Sequence, residues 1–254
     1  MKAFIAFTKK EFTESLRTYR LIVLMAVFLL LGIMSPLAAK MMPDILKGLA
    51  DTGITITLPE PSAMDSWEQF FKNVGQMGML ALIITFCGIM ANEFSRGTLI
   101  NLLTKGMKRY TVILSKFLWA SVLWAASYLL CLAVCYAYTV FYWPDSTLNH
   151  VFWAFFAPWL FGEFLIALLI FGGVLFKNFY GSLLSCGGVI IALNLVNILP
   201  KARKYNPVIL AGDTLNLLNA QKDVADFIPA VVICGAAVMV LIAASVGVFN
   251  KKQV

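Results

Sequence analysis

No segment of the chain reads GxxxxGK[ST], so it has no P-loop in which to cradle nucleotide phosphates. A single histidine, His150, has no second ligand or catalytic partner in the sequence around it, and its place at the start of an apolar run fits a solvent-facing helix start. The five cysteines (Cys87, Cys131, Cys135, Cys186, Cys234) lie inside apolar runs without metal-type spacing, which argues against a disulfide framework and makes them small packing residues. Charged residues are only 13% of the chain, so its net charge of +7 leaves no soluble basic module for nucleic acid. No convergent polar constellation marks an enzyme site. No internal repeat supports an inverted-repeat carrier.

What the chain has in quantity is apolar sequence. Hydrophobic residues make up 61% of its 254 positions, and the mean hydropathy of +0.85 lies outside the soluble range. A bilayer core needs about 20 apolar residues per helix, because a helix satisfies its own backbone groups in lipid. Six runs qualify: Leu21–Ala39, Val74–Ala91, Phe117–Trp143, Val151–Phe176, Ser182–Leu199 and Ile228–Phe249. The first follows basic residues and precedes the small residues of "SPLAAK", as a signal peptide would, but it is read as a retained span. The fold class is therefore an all-α membrane protein with six spans.

Loop charge orients them. With both termini in the cytoplasm, thirteen bases and three acids (Glu11, Glu14, Glu93) fall inside, against seven bases and nine acids outside. That asymmetry satisfies the positive-inside rule, and the inverse topology violates it. The outer loops are then 40–73, 144–150 and 200–227. The first contains Pro43, Gly48, Gly53, Pro59 and Pro61, which predict turns rather than one continuous helix. The last carries Leu215, Leu217 and Leu218 among polar residues, the pattern of short amphipathic helices.

Residues 1–20 form a separate interfacial segment ahead of the six-span domain at 21–254. Ile5, Phe12, Leu16 and Tyr19 share one helical stripe, with Lys10, Glu11, Glu14 and Arg17 on the other side. Such a helix lies along the inner surface of the bilayer, its bases near lipid phosphates.

Between the second and third runs, residues 92–116 read "NEFSRGTLINLLTKGMKRYTVILSK", a charged interruption placed on the cytoplasmic side. From Gly97, helical periodicity puts Leu99, Leu102, Leu103 and Met107 on one side. Gly106 is placed to end that helix in a left-handed cap, after which the next helix begins near Lys108. Glu93 has Arg96 at i+3 and Arg109 across the loop as candidate partners.

This stretch resembles the loop between the second and third spans of ABC type-2 exporter permeases. The matching positions are Glu93, Gly97, Thr98, Leu99, Leu102, Leu103, Arg109 and Lys116; the family often has proline in the break where this chain has "KGMK". The resemblance extends to the basic amphipathic N-terminal helix, six spans, both termini inside and a last outer loop with short helices. It implies a permease of a bacterial plasma (inner) membrane whose loop helix fits a cleft in a separate ABC ATP-binding subunit. ATP and Mg would bind that subunit, no cofactor would bind this chain, and a second permease copy, identical or not, would complete the path.

Few polar groups lie inside the spans. Glu163 is the one acid deep in a run, fit either for a pathway or for an interhelical contact. Asn194 and Asn197 of the fifth run allow helix packing or a pathway. So few charges favour a hydrophobic or amphipathic cargo, and among compact six-span permeases those for antimicrobial or cytolytic peptides look most alike. The alternatives are a gradient-driven carrier or channel using Glu163, and a non-transporting immunity or sensor protein.

Overall fold

The computed structural model describes residues 2–50, 60–95, 97–99, 104, 106–144 and 148–252, without the side chains of 2–3 and 44–50. Helix α1 (Lys2–Arg17) ends in a turn at Thr18 and Tyr19, where Tyr19 takes a left-handed φ of 58°. The first span begins at once in α2 (Arg20–Ala50). The second is built from α3 (Ala63–Asn73), a π turn (Val74–Gly78), α4 (Met79–Phe86) and α5 (Ala91–Ser95). Then come α6 (Arg109–Tyr142), α7 (Val151–Phe176) and α8 (Phe179–Val196), the third to fifth spans. Three one-turn helices follow, α9 (Pro200–Arg203), α10 (Ile209–Gly212) and α11 (Leu215–Leu218), and α12 (Val224–Lys251) is the sixth span. Six segments are long and apolar enough to cross a membrane, and the chain is a multi-pass membrane protein.

The fourth span is the central helix. Its sequence is apolar on every side, and it is buried along most of its length against spans three, five and six. The fifth span is the opposite case: among its residues only Ser182 and Cys186 are buried. Glycines set the closest approaches, since a Cβ on Gly32 would stand 2.7 Å from the Cys131 carbonyl oxygen and one on Gly172 would stand 3.2 Å from Ser182 Cα. Small residues let membrane helices gain dispersion contacts that lipid alone does not supply.

The connection between the first and second spans departs from the expected run of turns. Helix α2 continues to Ala50 with Pro36 and Pro43 inside it, and α3 occupies Ala63–Asn73. The reason is tertiary: Trp67, Phe70 and Phe71 of α3 are buried in an aromatic cluster with Tyr128 and Phe155. Pro61 stands just before Ser62, the α3 N-cap, whose backbone N–H donates to the Asp65 carboxylate at 2.7 Å.

The connection from span five to span six does form short helices. Leu217 and Leu218 are buried, so this segment folds back onto the bundle. Asp213 holds it together, accepting from Arg203 at 2.7 Å and Lys222 at 2.8 Å. Burial works to raise the Asp213 pKa, but those two cations outweigh it and hold the carboxyl below its ordinary value. A depressed folded-state pKa gives stability that is present above the unfolded value and lost as pH falls through the folded one. Acidification below about pH 4 is therefore expected to lower the thermal midpoint of the purified protein more than that of Asp213→Asn, measured from pH 6 to pH 3.

Candidate functional site

The N-terminal helix presents two faces. Ile5, Phe12 and Leu16 are exposed, as a lipid-facing stripe requires, and Tyr19, also exposed, stands in the left-handed turn beyond the end of the helix. Phe7, Glu11 and Ser15, spaced four apart, are buried against the third span. The Trp119 indole N–H donates to Ser15 Oγ at 2.6 Å, and the Phe12 ring meets Trp119 edge-on.

Beside this contact lies a buried charge cluster. Lys116, at 2% exposure, donates to Glu11 at 2.9 Å and to Glu93 at 3.1 Å. Lys10, half exposed, also reaches Glu93 and pairs with Glu14 at 3.2 Å. The Thr98 hydroxyl donates to the other oxygen of Glu93. Burial acts to lower the Lys10 pKa, but Glu93, Glu11 and Glu14 outweigh it and hold the ammonium above its ordinary value. Three segments that share no local sequence thus meet: α1, the end of the second span with the first turn of the following loop, and the start of the third span. The carboxylates of Glu11, Glu14 and Glu93 approach within the reach of one cation, yet each already pairs with Lys10 or Lys116, so the centre fits an ion-pair lock better than a metal site.

Glu93 reaches its position because the second span is broken. Residues 87–90 form a turn between α4 and α5, and the Glu93 N–H returns to the Met90 carbonyl at 3.1 Å. Its partners differ from those expected. Arg96 lies outside the described residues, and Arg109 turns away to the end of α12, where it donates to the backbone carbonyls of Phe249 and of Lys252, the latter at 2.5 Å. Lys116 is two helical turns deeper than Arg109, at the level of the buried carboxylate, whereas Arg109 stays at the rim. Lys252 in turn donates to the carbonyls of Val174 at 2.9 Å and Leu175, ending the fourth span. Both cations sit where unsatisfied C-terminal carbonyls collect negative charge.

Gly97 and Gly106 are both left-handed, with φ of 62° and 84°, while most of the helix that Gly106 is expected to end lies outside the described residues. Leu99 between them is fully buried in the protein's own core, while Leu102 and Leu103 lie outside the described residues.

Glu163 makes an interhelical contact: Ser121 Oγ of the third span donates to one carboxyl oxygen at 2.5 Å, and the other has no partner among the described residues. Asn194 donates to Ile190 of its own helix at 2.9 Å and lines a cavity of about 560 Å³. Asn197, at the end of α8, has a buried side-chain oxygen without a partner among the described residues. Glu163, Asn194 and Asn197 do not form one site. A second cavity of about 460 Å³, between spans three and four, is lined by apolar and aromatic residues such as Leu129, Phe152 and Trp159, and Glu163 lines neither.

Sequence reasoning noticed Lys116 only as part of a pattern and left Lys10 and Glu11 on the polar side of an interfacial helix. The signal that could have found them was a pair of acids and bases at the membrane boundary whose burial requires mutual partners.

No protein-family model matches the chain. It is 24% identical over 224 residues to the "Uncharacterized transmembrane protein YxlG" of Bacillus subtilis (strain 168), an alignment covering 86% of each chain. That similarity agrees with the six spans in marking a transmembrane protein.

Proposed function

We propose that the chain is the transmembrane permease subunit of an ATP-driven ABC exporter, with both termini in the cytoplasm of a bacterium and ATP and Mg held by a separate subunit. One observation carries the reading. The segment between Gly97 and Gly106 is anchored on both sides, by Glu93 and Thr98 to α1 and the third span and by Arg109 to the end of the sixth. A partner pressing on that segment would move helices rather than a free loop, which a coupling element requires. The absence of a P-loop makes a separate ATPase necessary. Two such bundles would enclose the path, and a hydrophobic or amphipathic cargo, a peptide for preference, suits spans with so few charges.

A gradient-driven carrier is the second reading, favoured by the half-satisfied carboxyl of Glu163. Reconstitution in liposomes separates the two. The permease reading expects export of an amphipathic peptide only with ATP and the ATP-binding subunit present. Ion-gradient-dependent transport by this chain alone, lost in Glu163→Gln, would overturn it.

A further inference from the structure

The 560 Å³ cavity lies where α3 and the π turn of the second span face the fifth span and the α10–α11 segment. Glu68, Lys72 and Gln76 line it at intervals of four, so a polar stripe runs down one face of the second span. Asn194 lines it as well, and Phe71 and Phe161 add aromatic surface. Gly75 and Gln76 belong to the π turn, a local distortion that recurs at functional sites.

The stripe is chemically mixed and unspent. Neither Glu68 nor Lys72 has an ion pair among the described residues, although they stand one turn apart. Glu68, Lys72 and Gln76 are exposed, and Glu68 and Lys72 stand just ahead of the apolar run that begins at Val74, so water is their default partner and a ligand of matching charge can replace it. The volume falls within the usual range for small-molecule sites. We propose that this cavity binds one zwitterionic membrane amphiphile, its ammonium beside Glu68, its anionic group beside Lys72 and its apolar body against Phe71 and Phe161. The two charges are offset by about 6 Å along the helix, a spacing that one zwitterionic headgroup bridges. A purely anionic molecule would face the Glu68 carboxylate, and a purely apolar one would leave the stripe unsatisfied. The fifth span, which supplies one wall, has only Ser182 and Cys186 buried, so the cavity lies at the edge of the bundle, where a membrane amphiphile can reach it.

Binding needs no ATPase and is tested on the purified full chain in a non-ionic detergent. Lysophosphatidylethanolamine serves as the zwitterionic probe and lysophosphatidylglycerol as its anionic counterpart, with occupancy read by native mass spectrometry. The expected result is saturable binding of one lysophosphatidylethanolamine in preference to lysophosphatidylglycerol. Glu68→Gln or Lys72→Gln should weaken it about fivefold, and the exchange Glu68→Lys with Lys72→Glu should restore it. Absence of saturable binding, equal binding of both probes, or variants that bind as the unaltered protein does would overturn the proposal. Loss of complex formation with an ATP-binding subunit would leave these results unchanged, so the two readings fail separately.

Discussion

Replacing Lys116 by methionine is expected to destabilise the purified protein by about 3 kcal/mol or more, because it leaves two carboxylates buried with only the half-exposed Lys10 between them. The effect has a direction in space as well as a size. Glu11 is the charged anchor of α1, so α1 should detach from the third span and become open to protease while the spans stay inserted. Combining Lys116→Met with Glu11→Gln and Glu93→Gln removes the unpaired charges and is expected to recover most of the lost stability, since a buried ion pair is often worth no more than well-packed neutral groups. Thermal midpoint and limited proteolysis of the single and triple variants check this. A single variant as stable as the unaltered protein, with α1 still protected, would mean that the cluster does not hold α1.

Leu99→Asp should be at least as damaging, for a different reason. Leu99 is fully buried in the apolar core, and burying a carboxylate there costs about 4 kcal/mol or more. Low yield and loss of a cooperative unfolding transition are expected. Leu102→Asp and Leu103→Asp are expected to leave insertion and the thermal midpoint nearly unchanged and to lose the ATP-binding subunit instead. The leucines of the loop would then divide by task, Leu99 holding the segment to the bundle and its neighbours meeting the partner. Equal damage to folding from all three substitutions would place the whole stripe in the core.

The spans were legible because lipid imposes a length and a composition that no local preference can mimic. Gly106 was legible for a similar reason, as the left-handed turn that ends a helix favours glycine strongly. The helix at Ala63–Asn73 was hidden because the prolines and glycines around it are read locally, whereas Trp67, Phe70 and Phe71 fold it through contacts with the third and fourth spans. With it went the stripe of Glu68, Lys72 and Gln76, which looks like loop polarity until the helix is known. The charge lock was hidden by distance along the chain. Lys116 and Glu11 are 105 residues apart, whereas local spacing offered Glu93 only Arg96 at i+3 and, across the loop, Arg109. The resemblance to exporter permeases pointed to the loop at 92–116, and the structure shows what Glu93, Thr98 and Arg109 on either side of it are fastened to.

Co-purification of this chain with a candidate ABC ATP-binding subunit, with ATP hydrolysis followed as amphipathic peptide is added, decides whether it works as the membrane half of an ATP-driven exporter. A stable complex is expected, whose hydrolysis rises with peptide and which Leu102→Asp or Leu103→Asp dissolves. Failure of the unaltered chain to form any complex, while it remains folded and inserted, would contradict that role.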